Sequence, residues 1–553
     1  MKSRLVKIIH FLCILITCLI FLVILIGLST SPSVAQKRRN SQRSDQIQVF
    51  KINYVNNPDL AKISYLDIWE VDRSSQTLIA AITPSQKSWL LAQGYALTQI
   101  NPLNSSVSKP NIGVCYRSVS QLYSDLQTQQ AAYPDLISLQ KIGLSYDNHD
   151  LWVAKITNQA ISSPKPRLFV MANIHGRELI TPETAFAFLN KLLQNYGKDP
   201  DITALVDWQE TYILITANPD GHIKTEQNIS PYGWRKNTQP YGVCSNLDYG
   251  VDLNRNHSFT WGQGLGSSNI PCDLTYSGPS AASEPETQAI ESFARSIFAD
   301  QRGPLITDAA PITTTGMLIS LHSYGNLILW PWGDSFTQAP NAFGLSQLGF
   351  KMAGFNQFSP MQAINLYPTD GTTDQWAYGE LGIAAFTYEI GSSSDGFFPT
   401  CDRYEALIQP NVNALLFAAT SSYTPYQAGS GPEVINMAVT PNGVNATNSI
   451  TLTATLESST KPIQAAEIYI DIPPWAGGVF QPLQAADGGF DTYSEKIAAV
   501  LNLTPNDQRM VPGTHLVWLR SQDIDGMWGP FKVAFVKILG QHFFPVLFGS
   551  NNP

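Results

Sequence analysis

Hydrophobic and polar positions along the chain fall into distinct regimes. From Ile8 to Leu28 apolar residues run almost unbroken, a length that suits a membrane-spanning or leader helix better than a surface one. Between about residues 46 and 110 the pattern is short and mixed. Apolar stretches lie at Ile63 to Val71, Leu78 to Ile82 and Tyr95 to Ile100, with a helix candidate after Pro84. Asn101 to Pro110, rich in Asn, Ser and Pro, reads as a linker. From Cys115 to about Ser422, helical periodicity alternates with compact apolar runs at Leu168 to Ala172, Thr211 to Ala217, Met317 to Leu321 and Ala384 to Ile390. Short apolar strands separated by helices predict an α/β domain with a mixed, largely parallel central sheet flanked by helices. Beyond Pro425 to Pro432 the period becomes two, at Ser449 to Leu456, Ala466 to Ile472 and Thr514 to Arg520, broken by Gly and Pro turns. That pattern predicts a C-terminal immunoglobulin-like β-sandwich. The organisation expected is a leader at 1–35, a small segment at 46–110, a main domain at 115–422 and a sandwich at 432–540.

The flanks of the first apolar run change its meaning. Lys2, Arg4 and Lys7 precede it, and Ser33-Val34-Ala35 supplies small residues at a cleavage position. A cleaved signal peptide and an exported product are expected, with an uncleaved membrane anchor as the alternative. Cysteine usage agrees. Cys13 and Cys18 fall in the leader, while Cys115, Cys244, Cys272 and Cys401 remain, an even set suited to disulfides in an oxidising compartment. Four cysteines allow three pairings, and spacing does not choose among them. A net charge of −9 with 14% charged and 11% aromatic residues excludes disorder and a nucleic-acid partner as leading readings.

Candidate chemistry lies in the main domain. His175-Gly176-Arg177-Glu178 directly follows the run Leu168 to Ala172. A His and a Glu three apart on a turn can face one metal ion, though the same pair serves equally as an ion pair at a helix start. His322 sits where the run Met317 to Leu321 ends, the place in a parallel sheet where ligands bind, although a lone His there is more often a hydrogen-bonded structural residue. Glu389 ends the run from Ala384, so desolvation would raise its pKa toward that of a general base; a salt-bridged or capping role is the alternative. Arg235, in Trp234-Arg235-Lys236-Asn237, and Arg255, beside Asn254 and Asn256, offer forks for a carboxylate.

Taken in order, His175-x-x-Glu178, Asn218-Pro219-Asp220-Gly221, Trp234 to Asn237, Asp252-Leu253-Asn254-Arg255-Asn256, Ser320 to Tyr324, Tyr367 and Phe386 to Glu389 form a set. The set resembles the zinc carboxypeptidase family typified by pancreatic carboxypeptidases A and B, and looks closest to its bacterial secreted branch. The match runs from about Tyr116 to Phe417. The resemblance implies one zinc ion held by His175, Glu178 and His322, with Glu389 as general base and Arg235 supporting the oxyanion. It also implies that Asn254 and Arg255 clasp the substrate's terminal carboxylate, Tyr367 closes over it, Arg177 contacts the peptide upstream and Asp252 orients His175. Disulfides Cys244–Cys272 and Cys115–Cys401 follow from the same comparison. The expected partners are peptides or proteins with a free C-terminus.

Specificity and the flanking segments are less constrained. Asp374 lies seven residues after Tyr367, where an acidic pocket base would favour Lys or Arg; counted back from Trp376 it is a structural aspartate instead. A mixed or basic preference is expected. Ser145 to Asp150 replaces a Ser-x-Glu-Gly-Arg stretch frequent in the family. Segment 46–110 stands where the family keeps an inhibitory propeptide, with a permanent subdomain as the alternative, and the sandwich would attach to a surface, glycan or protein partner or simply stabilise. Rival functions are an amidase or D,L-peptidase acting on cell-wall stem peptides with the same zinc chemistry, and an inactive peptide-binding relative.

Overall fold

The computed structural model describes residues 47–100, 112–228, 232–244, 249–445, 449–502 and 511–539. The leader at 1–35 and the linker at 101–110 lie outside the described residues. Among the described residues no helix is long and apolar enough to cross a membrane. These residues divide into two compact units: Ile82–Ala96, with the residues up to Gln48, and all the rest.

Residues 48–100 carry strand β1 (Gln48–Asn53), helix α1 (Asn57–Ile63), strands β2 (Asp67–Asp72) and β3 (Thr77–Ile82), helix α2 (Pro84–Ala92) and strand β4 (Leu97–Ile100). The sheet order is β2-β3-β1-β4. The apolar stretch expected from Ile63 is divided. Asn56 accepts from Asp59 N and caps α1, Pro58 follows at the second position, and Ile63 closes that helix rather than opening a strand. In the smaller unit, Thr83 and Gln86 form a capping box at the start of α2.

The main domain contains α3 (Val119–Ala132), β5 (Ile137–Leu144), β6 (Asp150–Ile156), β7 (Arg167–Ala172), α4 (Ile180–Asn195), α5 (Pro200–Trp208), β8 (Glu210–Leu214) and α6 (Pro219–Glu226). It continues with α7 (Pro285–Ile297), β9 (Met317–His322), β10 (Leu327–Trp330), α8 (Ala342–Asn356), β11 (Ser359–Gln362), α9 (Thr373–Leu381), β12 (Ala384–Glu389) and α10 (Tyr404–Ser421). Eight strands form one mixed sheet ordered β11-β10-β12-β9-β7-β8-β6-β5. Its centre, β12-β9-β7-β8, is parallel, and the β5–β6 hairpin and β10 add antiparallel pairs. Strands β7, β9 and β12 are buried on both faces, which explains why they read as continuous apolar runs. β5, β6 and β11 mix polar with apolar residues, and β10 is an apolar run of only four residues, Leu327–Trp330, so none stood out in the sequence. Disulfides join Cys115 to Cys401 and Cys244 to Cys272.

The C-terminal strands are β13 (Glu433–Thr440), β14 (Val444–Asn445), β15 (Ser449–Glu457), β16 (Ile463–Ile470), β17 (Gln481–Pro482), β18 (Ser494–Asn502), β19 (Gly513–Asp523) and β20 (Lys532–Leu539). A three-stranded sheet, β13-β15-β18, and a five-stranded sheet, β14-β20-β19-β16-β17, enclose a core of Leu452, Leu456, Ile468, Val517, Leu519 and Val536. The second face of the larger sheet is also covered. Tyr469, Trp518, Phe531 and Val533 pack with Ala204 and Trp208 of α5 and with Tyr423 and Trp475. Trp475 Nε1 donates to Trp208 O at 3.1 Å, and Asp201 accepts from Val533 N at 2.8 Å.

Buried acids at the start of α7 reach toward the loop that carries Arg235. Asn237 Nδ2 donates to Glu284 Oε2 at 2.7 Å and to Glu286 Oε2 at 3.2 Å, while Glu286 Oε1 accepts from Tyr146 N. Burial pushes the Glu286 carboxyl from its ordinary 4.5 up to about 7. Between these values the folded chain keeps a proton that the unfolded chain has lost, so this group's contribution falls as pH rises through that window. Glu286→Gln should therefore gain stability relative to wild type as pH goes from 4.5 to 7.5. Denaturant unfolding at both pH values checks this; a difference that does not change with pH counts against it.

Candidate metal centre and active site

Three neighbouring parallel strands end at the same edge of the sheet, and their ends bring the candidate groups together. In β12 and β9, Glu389 is the direct partner of His322; in β7 and β9, Ala172 pairs with Leu321. Beyond Ala172 the chain turns through Asn173, in the left-handed region at φ 58°, which an asparagine tolerates. Asn173 Nδ2 donates to His175 O, and the turn delivers His175 and Glu178 ahead of α4. Gly176 is required there: a Cβ would lie 2.1 Å from the carbonyl carbon of Gly221. That approach is fixed by Asn218, whose side chain caps α6 through Gly221 N and whose Nδ2 donates to Ile174 O and Lys236 O. One buried amide thus ties the His175 loop to the Arg235 loop.

His175 Nδ1 lies 2.7 Å from Glu178 Oε1, and His322 Nδ1 lies 3.2 Å from Glu178 Oε2. The ligand-type atoms of these three side chains lie within 4.8 Å of one another, and all three residues are buried. Apart from the His322 ring, Glu178 Oε2 has no polar partner despite its burial. Two imidazole nitrogens and a buried carboxylate oxygen facing one another are a donor set that fits zinc. The other ring nitrogens are held from behind: His175 Nε2 by Asp252 Oδ1 at 3.1 Å, and His322 Nε2 by Ser320 Oγ at 3.0 Å. Burial alone would raise the Glu178 carboxyl, but His175 and His322 outweigh it and hold the group well below its usual range. Burial has the opposite outcome at Glu389, which it pushes up to about 8, with His322 opposing and Glu178 adding to the rise. A divalent cation at the His-Glu-His cluster would favour the carboxylate form.

A cavity of about 480 Å³ opens over these groups. It is lined by His175, Glu178, His322 and Glu389, by Arg177, Arg235, Asn254 and Arg255, and by Tyr367 and Asp374. Asp252 stands behind it. Its Oδ2 accepts from Arg235 Nε and Nη2, and its Oδ1 from Asn254 N, so one carboxylate aligns His175, Arg235 and the Asn254 turn. Arg255 is pinned by Nε to Gly266 O and by Nη1 to Asn254 O, both at 2.7 Å. Asp374 is buried at the start of α9, and burial raises its carboxyl. Leu329, Thr369, Thr372 and Thr387 share the cavity wall with it.

Sequence reasoning missed what occupies the arginines. Asp67, at the start of β2, is buried and accepts from Arg177 Nη1 and Nη2 at 2.8 and 2.7 Å. It also lies 3.4 Å from Arg235 Nη1. Burial opposes its ionisation, but the two guanidinium groups outweigh that and keep it below its ordinary value. Trp69 packs edge-on against Tyr232 and Phe397, and Arg73 Nε donates to Asn365 O just ahead of Tyr367. Two carboxylates, Asp67 and Glu70, inside a mostly apolar run were the available signal.

Comparison with known proteins agrees with this geometry. The family model described as zinc carboxypeptidase matches residues 122–414. A zinc carboxypeptidase of Saccharothrix mutabilis subsp. capreolus is 30% identical over 323 residues, covering 56% of this chain and 70% of that protein. Carboxypeptidase A5 of Macaca fascicularis is 31% identical over 285 residues, half of this chain, and the match spans 60% of that protein. Among solved structures, carboxypeptidase A from Helicoverpa armigera aligns with a TM-score of 0.55 at 22% identity, covering 70% of this chain and 98% of that one, a likeness of fold. The matched segment holds every side chain of the His-Glu-His cluster together with Glu389, and the chain belongs to the zinc carboxypeptidase family.

Proposed function

We propose that this chain hydrolyses the C-terminal peptide bond of peptides and proteins, using one zinc ion held by His175, Glu178 and His322. The observation that carries this reading is a single cavity lined by the His-Glu-His cluster, by the half-buried Glu389 and by Arg235, Asn254 and Arg255. Zinc bound there would lower the pKa of a water and polarise the scissile carbonyl. Glu389, at its strand end beside His322, takes a proton from the attacking water and returns one to the leaving amine. Arg235, aimed by Asp252, donates to the oxygen that becomes negatively charged. Asn254 and Arg255 receive the terminal carboxylate, which restricts cleavage to chain ends, and Tyr367 closes over it. Arg177 meets the peptide upstream. Asp374 at the pocket floor favours a cationic side chain, which would pair with a carboxylate that burial otherwise disfavours as an anion.

Asp67 supports reading segment 46–110 as an inhibitory propeptide. Its carboxylate takes up both Arg177 and Arg235, so substrate cannot use them while it stays. Two disulfides support an oxidising, extracytoplasmic location. The aromatic seam on α5 supports a stabilising role for the sandwich.

A peptide panel ending in Arg, Lys, Phe, Leu or an amide, assayed with and without chelator, tests the reading. Release only from free carboxyl ends, abolished by the chelator, is expected. Release from amides or stem peptides alone would favour the cell-wall hydrolase, and none at all, even after nicking at 101–110, the inactive relative. Glu389→Gln should lower kcat by roughly 10²- to 10⁴-fold with zinc content unchanged by metal analysis. Asp374→Ala should cut the Arg-to-Phe ratio of kcat/KM about tenfold or more; an unchanged ratio removes Asp374 from specificity. Asp67→Ala in the unnicked chain should raise activity roughly 10- to 100-fold, since a close charge pair is lost from the blocked state; equal activity would refute the inhibitory role.

A further inference from the structure

The amide of Asn254 can present either an oxygen or an NH₂ group to the cavity, and only the second attracts a carboxylate. The choice is made by residues that never reach the cleft. Asn254 Oδ1 accepts two hydrogen bonds from Thr373, the first residue of α9: from its backbone N at 2.9 Å and from its hydroxyl at 3.0 Å. The first uses one of the amide protons that a helix N-terminus leaves without an intrahelical partner. Among the described residues Asn254 Nδ2 has no protein partner, and Asn254 lines the cavity.

The Thr373 hydroxyl is itself directed. His257 Nε2 lies 2.9 Å from Thr373 Oγ1. Thr373 N can only donate and so fixes Asn254 Oδ1 toward α9; the hydroxyl adds its proton to the same oxygen when His257 Nε2, paired through Nδ1 with the Glu291 carboxylate, donates to it. His257 Nδ1 faces Glu291 Oε1 at 3.2 Å, and the ring lies near-parallel to Trp376 with centroids 5.5 Å apart. Its backbone N donates to Gly371 O. Gly371 sits at φ 61°, where a Cβ would come within 2.4 Å of Arg255 O, so the loop closes this tightly only as glycine. Glu291, on α7, is anchored by Ser258 N at 2.8 Å, by Ser258 Oγ at 3.0 Å and by Arg295 Nη2 at 2.9 Å. His257 and Thr373 are completely buried, and Glu291 nearly so. The bonds therefore cannot exchange freely with water, and their polarity is kept.

We infer that Glu291, His257 and Thr373 form a buried relay that locks the Asn254 amide with its Nδ2 toward the cleft, making them positioning residues for recognition of the substrate's terminal carboxylate. This rests on the carboxypeptidase reading above and extends it to residues on α7, on α9 and in the loop after Arg255 that touch no substrate. A relay of this kind acts on ligands with a free carboxylate and spares those without one.

The test uses the zinc-loaded full chain, nicked in the 101–110 linker, with peptides ending in Arg. Free arginine and acetohydroxamate serve as competitive inhibitors with and without a carboxylate. Thr373→Val should raise KM about 10- to 100-fold with kcat changed less than about threefold. It should weaken inhibition by free arginine by a similar factor and leave acetohydroxamate inhibition unaltered. Thr373→Ser, which keeps the hydroxyl, should restore wild-type values, and His257→Phe should follow Thr373→Val. A Thr373→Val enzyme with KM within twofold of wild type overturns the relay, as does equal weakening of both inhibitors. Wild-type protein that releases no C-terminal residue overturns the carboxypeptidase reading itself, a separate outcome.

Discussion

The parallel register of β12, β9 and β7 is the constraint on which the site depends. It sets Glu389 directly beside His322 and brings the turn after Ala172 to the same edge. Each strand is buried on both faces, so a slip of one residue would push every side chain into a space packed for another and is strongly resisted. The positions of the ligand-type groups are thus inherited from the hydrophobic core of the sheet. What remains for the loops is to aim side chains whose Cα atoms are already placed.

Aiming is done by buried amides and carboxylates. Asn218 joins the His175 and Arg235 loops, Asn237 ties the latter to the acids at the start of α7, and Asp252 orients a histidine, an arginine and a backbone turn at once. Each group is surrounded by partners of complementary polarity, which is the condition for keeping so many polar atoms away from water. The pKa directions follow from that arrangement. Asp252 is hydrogen-bonded to Arg235 and His175 and is held low, while at Glu389 burial, with Glu178 adding to it, outweighs His322 and the arginines and pushes the carboxyl up. Two carboxylates of one region thereby differ in their hold on a proton.

The flanking segments are attached by different means. Strand β2 and the residue after it engage the cleft through charge, with Asp67 on two arginines and Arg73 on the carbonyl of Asn365, and through Trp69 edge-on to Tyr232 and Phe397. The sandwich is attached through packed aromatics, with Trp475 and Trp518 meeting at right angles over α5.

Much of this molecule was legible from residue order. Continuous apolar runs marked β7, β9 and β12 because full burial leaves a strand no polar positions, and the groups at the ends of those runs, His175, Glu178, His322 and Glu389, are the ones the sheet gathers. Period-two alternation likewise marked the sandwich. Strands β5, β6 and β11 did not stand out, since they mix polar and apolar residues much as a loop does, and β10, apolar throughout, is only four residues long. Contacts between distant residues were beyond reach altogether. Nothing local pairs Asp67 with Arg177, 110 positions away, or Thr373 with Asn254 across 119. The sequence by itself determined which side chains could do chemistry and on which strands they ride, because periodicity and residue type are local properties. Only the tertiary structure decided which charge faces which and which way an amide points, because those depend on the directions of groups that folding alone brings together.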